Sequence, residues 1–462
     1  DVIAIPMLLE DLLAQLRGLG VRLSLDSGTL RCDAPKGALT PILRKQLLEH
    51  KEEILALLDS NRTRVGKDAW EADGSLPNEF DRRFEFKKSD LASRPENILL
   101  TGATGFLGSH LLNELLRTTS ATVYCLVRKD VARILQALEE YGLWDDGFGS
   151  RVIPVNGDLA REGLGLGQTA LRQLAEKVDL VLHNGAHVHH GLPYGSLRAA
   201  NVLGTLQMLR FAFDSGASFH FVSSLSVLPP APIDGQPRFF ESDSVEGVPS
   251  PKGGYNLTKW VSEKLIEQAA ARGLPSVVYR PGPISGHSET GHFNHDDFLH
   301  RLMRGYLECG MAPDGSLPLD ILPVDFVSRA IVWLGLKPHG DATLRRYHLL
   351  HPEPASSDFL FDACRRAGYD ITRVPYESWY RELRRIAEVG ETRHSLYPLV
   401  GLFASRGAMG PREDSETDHG VPFDCRRAMA ELKLAPFPLP ALDARLFDTY
   451  LEAMTTKGEI RT

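Results

Sequence analysis

Cysteine is scarce. The five present (Cys32, Cys125, Cys309, Cys364 and Cys425) lie far apart, form no C-x-x-C pair and are odd in number. That pattern speaks against a disulfide framework and fits isolated thiols in a reducing compartment. Long apolar runs are missing too. No stretch approaches the ~18 residues of a membrane-spanning helix, so no membrane partner is expected. A basic excess is also lacking. The formal net charge is −8, which argues against general nucleic-acid binding, although local basic clusters can still hold phosphate. The first residues carry an acid and no basic region before an apolar run. No signal peptide is therefore expected, and the expected location is cytoplasmic. There are no internal repeats and no low-complexity tract. What is present is a chain of 462 residues, 43% of them hydrophobic. That is enough for a large buried core and for two to four domains.

The pattern along the chain changes twice. In residues 1–60, Leu9, Leu12, Leu13, Leu16 and Leu19 recur at helical spacing up to Gly20. Val21, Leu23 and Leu25 then alternate, Asp26-Ser27-Gly28 turns, and Leu30 and Cys32 alternate again, as in a hairpin. Thr40-Pro41 is a helix start, with Thr40 as N-cap and Pro41 at the first helical position. Leu43, Leu47, Ile54, Leu55 and Leu58 supply apolar faces for one or two closing helices. The expected order is α-β-β-α-α. Residues 61–96 lose this periodicity and read as a charged linker, partly wrapped on the next domain.

From residue 97, short apolar runs alternate with helical stretches. The runs are Ile98–Thr101, Val123–Val127, Val152–Val155, Leu180–His183, Phe219–Val222 and Val277–Tyr279. Such alternation predicts an α/β domain with a doubly wound parallel sheet covered on both faces. It is expected over 97–284, with 323–345 returning to it. Beyond about residue 285 the regularity falls, and 285–322 with 346–462 form a separate, smaller and mostly helical region.

The first run of that domain leads into a glycine loop. Gly102 permits the turn, Gly105 lets the backbone approach a pyrophosphate, and Gly108 lets helix pack on strand. An anion then sits at the helix N-terminus, where free N–H groups point. The second strand ends in Arg128-Lys129 about twenty residues after Gly108, where an NAD site places an acid for the ribose. The basic pair favours a 2′-phosphate and hence NADPH, with Arg133 able to join them. A solvated basic pair beside Asp130 is the alternative. Asp158, after the third strand, suits either the adenine amino group or a local cap.

Tyr255 and Lys259 are four apart and share one helix face. The ammonium is expected to stabilise phenolate and lower the phenol's pKa, so that Tyr255 can protonate a carbonyl oxygen. Ser224 follows a strand 31 residues before Tyr255 and can hold the same oxygen. Ser223 and Ser226 are chemical rivals, with local capping as their ordinary role.

These residues resemble the extended short-chain dehydrogenases, and more narrowly the thioester reductase (R) domains of nonribosomal peptide and polyketide assembly lines. The matching motifs run from LLTGATGFLGSHLL through CLVR, GDL, HNGAHV, NVLGT, VSSLSV, YNLTK, YRPGPISG and TGHFNHDDF to LPVDFV, over roughly residues 97 to 330. The resemblance implies a Rossmann-type sheet and a Ser224, Tyr255, Lys259 catalytic set. It implies NADPH contacts from Gly102, Thr104, Gly105, Phe106, Leu107, Gly108, Arg128, Asp158, Leu159, Ala186, Asn201, Tyr255, Lys259, Pro281, Gly282 and Ile284. Two departures stand out: the family often has Thr where Ser224 stands, and usually Arg where Pro283 stands.

Residues 7–59, especially GVRLSLDSGTLRCDAPKGALT, resemble the TubC-type docking domain, which captures the tail of an upstream protein on a hairpin edge. Arg22 and Arg31 are candidates for acidic tail residues, or are simply solvated. No carrier-protein serine motif of the L-G-G-x-S type occurs. The resemblance thus implies a separate upstream carrier protein with a phosphopantetheine thioester, reduced to an aldehyde or further to the alcohol. The alternatives are a reductase of the same fold acting on a sugar nucleotide, a steroid-like compound or acyl-CoA, and a noncatalytic NADP-binding regulator. His183, His187, His189 and His190 follow a strand, and His292, His295, Asp296 and Asp297 fall in the TGHFNHDDF motif. No metal is expected at the first, since no second carboxylate or Cys set converges with it in the sequence, and for the second the resemblance implies a substrate-lid role rather than a metal. Met303, Tyr347, Leu396 and Phe403 are the expected lining of the substrate pocket, on hydrophobicity alone.

Overall fold

The computed structural model describes residues 12–13, 15–16, 19, 21–26, 29–35, 38–51, 54, 67–85, 95–128, 132–189, 192–229, 238–295, 297–315, 318–338, 342–389, 394–400, 403 and 423–460. Near the N-terminus, β1 (Arg22–Asp26) and β2 (Thr29–Asp33) pair antiparallel, and a helix runs over Pro41–Glu49. Thr40 caps that helix, its hydroxyl accepting from the Leu43 N–H, with Pro41 just inside. Leu12, Leu16, Val21, Leu43, Leu47 and Ile54 form a small core of their own.

The six apolar runs are strands of one parallel sheet: β3 (Asn97–Thr101), β4 (Thr122–Val127), β5 (Val152–Asn156), β6 (Leu180–His183), β7 (Ser218–Val222) and β8 (Ser276–Pro281). A seventh, β9 (Leu344–Leu349), completes the order β9-β8-β7-β6-β3-β4-β5. Ile98, Leu100, Val123, Cys125, Leu182 and Val277 feed one core. Leu99, Val181, Phe219, Phe221 and Val278 feed the other. Burial on both faces explains why the inner strands read as unbroken apolar runs, whereas β5 at the edge has no buried residue. The chain reverses its winding between β3 and β6, the switch point at which such sheets open a crevice.

Three expectations need correction. The division at 345/346 cuts through β9, which pairs with β8 along its whole length. Tyr347 lines no pocket: it lies in β9, is fully buried, and its hydroxyl donates to Glu431. Met303, Leu396 and Phe403 belong to the core built by residues 293–460. Apolarity marked them correctly for burial, but the void they fill is the core itself.

The charged stretch before β3 is no loose connector over 67–85. Its helix Lys67–Asp73 sets Trp70 edge-on to Trp260 at 5.5 Å. Asp73 accepts from the Tyr194 hydroxyl and the Arg198 guanidinium. Phe80 and Phe84 pack against Phe213. Gln268 bonds the carbonyl of Gly74 and the N–H of Leu76.

Between β3 and the helix Phe106–Thr118 the chain turns tightly. Gly102 has φ +74°, and a Cβ there would stand 2.8 Å from Gly185 Cα. A Cβ on Gly108 would collide with the Gly102 carbonyl, whereas one on Gly105 meets nothing nearer than 3.5 Å. Gly108→Ala should therefore cost about 1–3 kcal/mol or more in urea unfolding, while Gly105→Ala should unfold within about 0.5 kcal/mol of the unaltered chain. Equal midpoints for the two variants would contradict this packing.

Candidate active site

The parallel register brings the ends of five strands level. Thr101 pairs with Leu126 on one side and His183 on the other, His183 with Phe221, and Val222 with Tyr279. The residues just past each strand thus line one rim: Gly102, Arg128, Asn184, Ser223 and Gly282.

The glycine loop fits a pyrophosphate. Gly105 is exposed, stands at the N-terminus of the Phe106–Thr118 helix and gives that end no side-chain cap. Its unfilled Cβ position and the helix's unpaired N–H groups are what a phosphate needs. Thr104 is half-buried at the loop, and Phe106 and Leu107 open the helix. Arg128 is exposed just past β4, and Arg133 is exposed on the next helix. Lys129 lies outside the described residues. Asp158 plays the turn role here, its carboxylate accepting from the Ala160 N–H at 3.0 Å. Leu159 packs where Gly185 and Gly204 leave room.

His183 is structural. Its Nδ1 is 2.7 Å from Thr101 Oγ1 and its Nε2 is 3.0 Å from Thr205 Oγ1. Burial pushes its pKa down to about 3. His189 Nδ1 accepts from the Leu192 N–H, and His190 and Asp296 are outside the described residues. Asn201 sits in a π-helical turn, Ala199–Leu203, and clamps the loop after β6. It accepts from the His187 N–H at 2.7 Å and donates to the His187 carbonyl and to Thr258 Oγ1, both at 3.1 Å. Ala186, half-buried, lies in that held loop. On the far side Pro281 is buried, and Gly282 and Ile284 are half-buried.

Lys259 ties the helix that carries Tyr255 to the end of β7, two residues before Ser224. Lys259 reaches along the Gly254–Ala271 helix and donates to the Val222 carbonyl at 2.7 Å. Its ammonium lies 6.0 Å from the Tyr255 ring centre and 4.5 Å from that of Phe221. Ser224 caps the turn Leu225–Val227 and shares a 2.8 Å hydrogen bond with Ser226, which in turn donates to Asn256. Ser223 is buried and donates to Glu263, so it faces the interior, whereas Ser224 and Ser226 are both half-buried.

Sequence reading missed what lies behind this cluster. Glu263 and Arg280 are both fully buried and form an ion pair with hydrogen bonds at 2.7, 3.1 and 3.2 Å. Arg280 also reaches His348 and the Asp243 carbonyl. Glu241 accepts from the N–H groups of His348, Arg427 and Ala428. Glu263 stands one turn beyond Lys259, and that spacing was the available signal. Its partners in β8 and β9 had none.

The expected acidification of Tyr255 by Lys259 is not what the geometry gives. Burial dominates both groups, raising Tyr255 to about 12 and lowering Lys259 from its ordinary 10.5 to about 7, with Glu263 partly offsetting the fall. Lys259 is buried deep enough to lose its own proton before it can help the phenol lose one. An unfolded lysine keeps its proton up to about 10.5, so the folding penalty of this cation is full below pH 7 and fades as pH rises from 7 to 10.5. In carbon-13 spectra of lysine-labelled protein without cofactor, one side chain should titrate near pH 7 and vanish in Lys259→Met. If every lysine titrates above pH 9, this electrostatic picture is wrong.

Comparison with known proteins agrees with this geometry. The family profile described as NAD-binding, male sterility protein, matches residues 100–331. That of the TubC N-terminal docking domain matches residues 9–59. The chain is 36% identical over 371 residues to a linear gramicidin synthase of Brevibacillus parabrevis, covering 79% of this chain and 7% of that one. It is 35% identical over 378 residues to glycine betaine reductase ATRR of Emericella nidulans, covering 78% and 29%. The chain thus spans less than a third of either relative. A crystal structure of the terminal R domain from the myxalamid PKS-NRPS biosynthetic pathway matches with a TM-score of 0.74 at 36% identity, over 85% of this chain and 98% of that one. The glycine crevice, the serine–tyrosine–lysine cluster and these matches lead to one assignment: the chain belongs to the NAD-binding male sterility protein family, as a reductase (R) domain of the nonribosomal peptide synthetase type, carrying a TubC-type docking domain.

Proposed function

We propose that this protein uses NADPH to reduce an acyl or peptidyl thioester, held on the phosphopantetheine arm of a separate carrier protein, and releases an aldehyde. The observation that supports the reading is the Tyr255–Lys259 pair tied by Lys259 to the Val222 carbonyl, two residues before Ser224, at the end of β7 and on the same rim as the glycine loop. When bound, the reduced nicotinamide supplies hydride. Gly102, Thr104, Gly105, Phe106, Leu107 and Gly108 hold the pyrophosphate. Arg128, Lys129 and Arg133 take the 2′-phosphate, and Asp158 and Leu159 border the adenine. Ala186, Asn201, Pro281, Gly282 and Ile284 frame the opposite end.

At the reacting carbonyl, the Ser224 hydroxyl donates a hydrogen bond to the thioester oxygen. Tyr255 gives its proton to that oxygen as negative charge builds there. Lys259, held on the Val222 carbonyl, stands behind the phenol and offers its remaining N–H groups to the nicotinamide ribose. The hemithioacetal then expels the carrier thiol, leaving an aldehyde. A second round would give the alcohol. Residues 285–322 and those beyond β9 receive the acyl chain.

Docking of the carrier's protein falls to residues 9–59. Among the described residues β1 and β2 make a two-stranded sheet with open outer edges, which an extended tail can join as a further strand. Arg31 is exposed on β2 and suits an acidic tail.

The decisive assay follows NADPH oxidation with a carrier-bound acyl thioester, against NADH, free acyl-CoA and a sugar nucleotide. Turnover should require NADPH and the carrier-bound substrate. Tyr255→Phe should lose it by about a hundredfold or more while still binding NADPH. Full activity in that variant would refute the acid role. Removing residues 1–60 should slow turnover on the native carrier and leave a small soluble thioester mimic unaffected. Identical kinetics on the native carrier would end the docking assignment.

A further inference from the structure

A second polar cluster lies outside the residues assigned above. His295 stands just before the Phe298–Cys309 helix, and His300 lies in that helix's first turn. Glu459 lies just past the last helix, Ala444–Thr456. Although 159 residues separate His300 from Glu459, His300 Nε2 lies 2.7 Å from one carboxylate oxygen of Glu459. His295 Nδ1 lies 3.3 Å from the other oxygen. The two imidazole rings are 5.3 Å apart and nearly perpendicular, so they converge on the carboxylate rather than stack. One potential ligand atom from each residue falls within 4.8 Å of the others.

The site is dry on one side and open on the other. The His300 side chain is 3% exposed and that of Glu459 13%, whereas that of His295 is 51% exposed. An imidazole nitrogen faces a carboxylate oxygen favourably only with a proton or a cation between them. A single divalent ion meets that need for both histidines at once. Two imidazole nitrogens and a carboxylate oxygen are the ligand set of open zinc sites, and their borderline softness favours zinc over magnesium or calcium. The sequence favoured a substrate-lid role over a metal for this segment, and the fold adds a carboxylate that the sequence keeps far away, Glu459.

We propose that His295, His300 and Glu459 bind one divalent transition-metal ion, zinc by preference, with at least one position left to water. The ion would staple the segment after β8 to the last helix. The Phe293–Tyr450 contact at 4.5 Å already joins the same two parts. His292, in the same segment, bonds the Tyr141 carbonyl of the α/β half. The ion would therefore steady a segment that touches both halves of the molecule.

The test uses the full chain stripped with a chelator, titrated with zinc in a calorimeter and with cobalt by absorption. One tight equivalent is expected, with a rise in the thermal midpoint. His295→Ala removes an exposed ligand and should leave the metal-free midpoint unchanged, so loss of fold cannot mimic loss of binding. It should weaken zinc by about tenfold or more and abolish the thermal shift, and Glu459→Gln should do the same. Zinc binding of equal strength in both variants, or no tight equivalent in the unaltered chain, would overturn the site. Because the readout is binding, the outcome is independent of whether thioesters are the substrate.

Discussion

The end of β7 is held by one buried charge pair. Glu263 and Arg280, both without solvent contact, join the Gly254–Ala271 helix to β8, and Glu263 also takes the hydroxyl of Ser223. One turn earlier, Lys259 takes the carbonyl of Val222. Two consecutive residues of one strand end are thus gripped by two residues of one helix, and Ser224 comes immediately after. Removing a single partner of such a pair leaves an uncompensated buried charge, at a cost of roughly 3–5 kcal/mol.

The same depth sets the chemistry. The cluster is dry enough that burial overrides attraction between neighbours, raising the phenol and lowering the amine. Both groups therefore rest in their neutral forms more readily than they would in water. A site arranged this way gives up little proton at rest and gains most when negative charge develops on an oxygen beside it, which is the condition for stabilising a transition state rather than a ground state.

Much of this was legible in the sequence, for identifiable reasons. Strands β3, β4, β6, β7 and β8 showed as apolar runs because both faces are covered. The Gly102, Gly105, Gly108 spacing and the four-residue step from Tyr255 to Lys259 depend on local geometry, which sequence encodes directly. β9 did not show, because LRRYHL carries two arginines and a histidine. At the sheet edge those groups find partners once the chain is folded, Arg345 the nearby Lys337 carbonyl and Arg346 the distant Glu267. Tyr347, Met303, Leu396 and Phe403 were read as apolar, which is right, but apolarity does not distinguish a pocket wall from a core. The Glu263 network was hidden for the same reason as β9, since Arg280, His348 and Glu241 meet only once the sheet is built.

The stretch over 67–85 has one more implication. It lies along the rear of the helix that carries Tyr255 and Lys259, touching it at Trp260, Gln268 and Arg272. The strap thus couples the stretch before β3 to the very helix that presents the phenol, so that a shift in one is felt by the other.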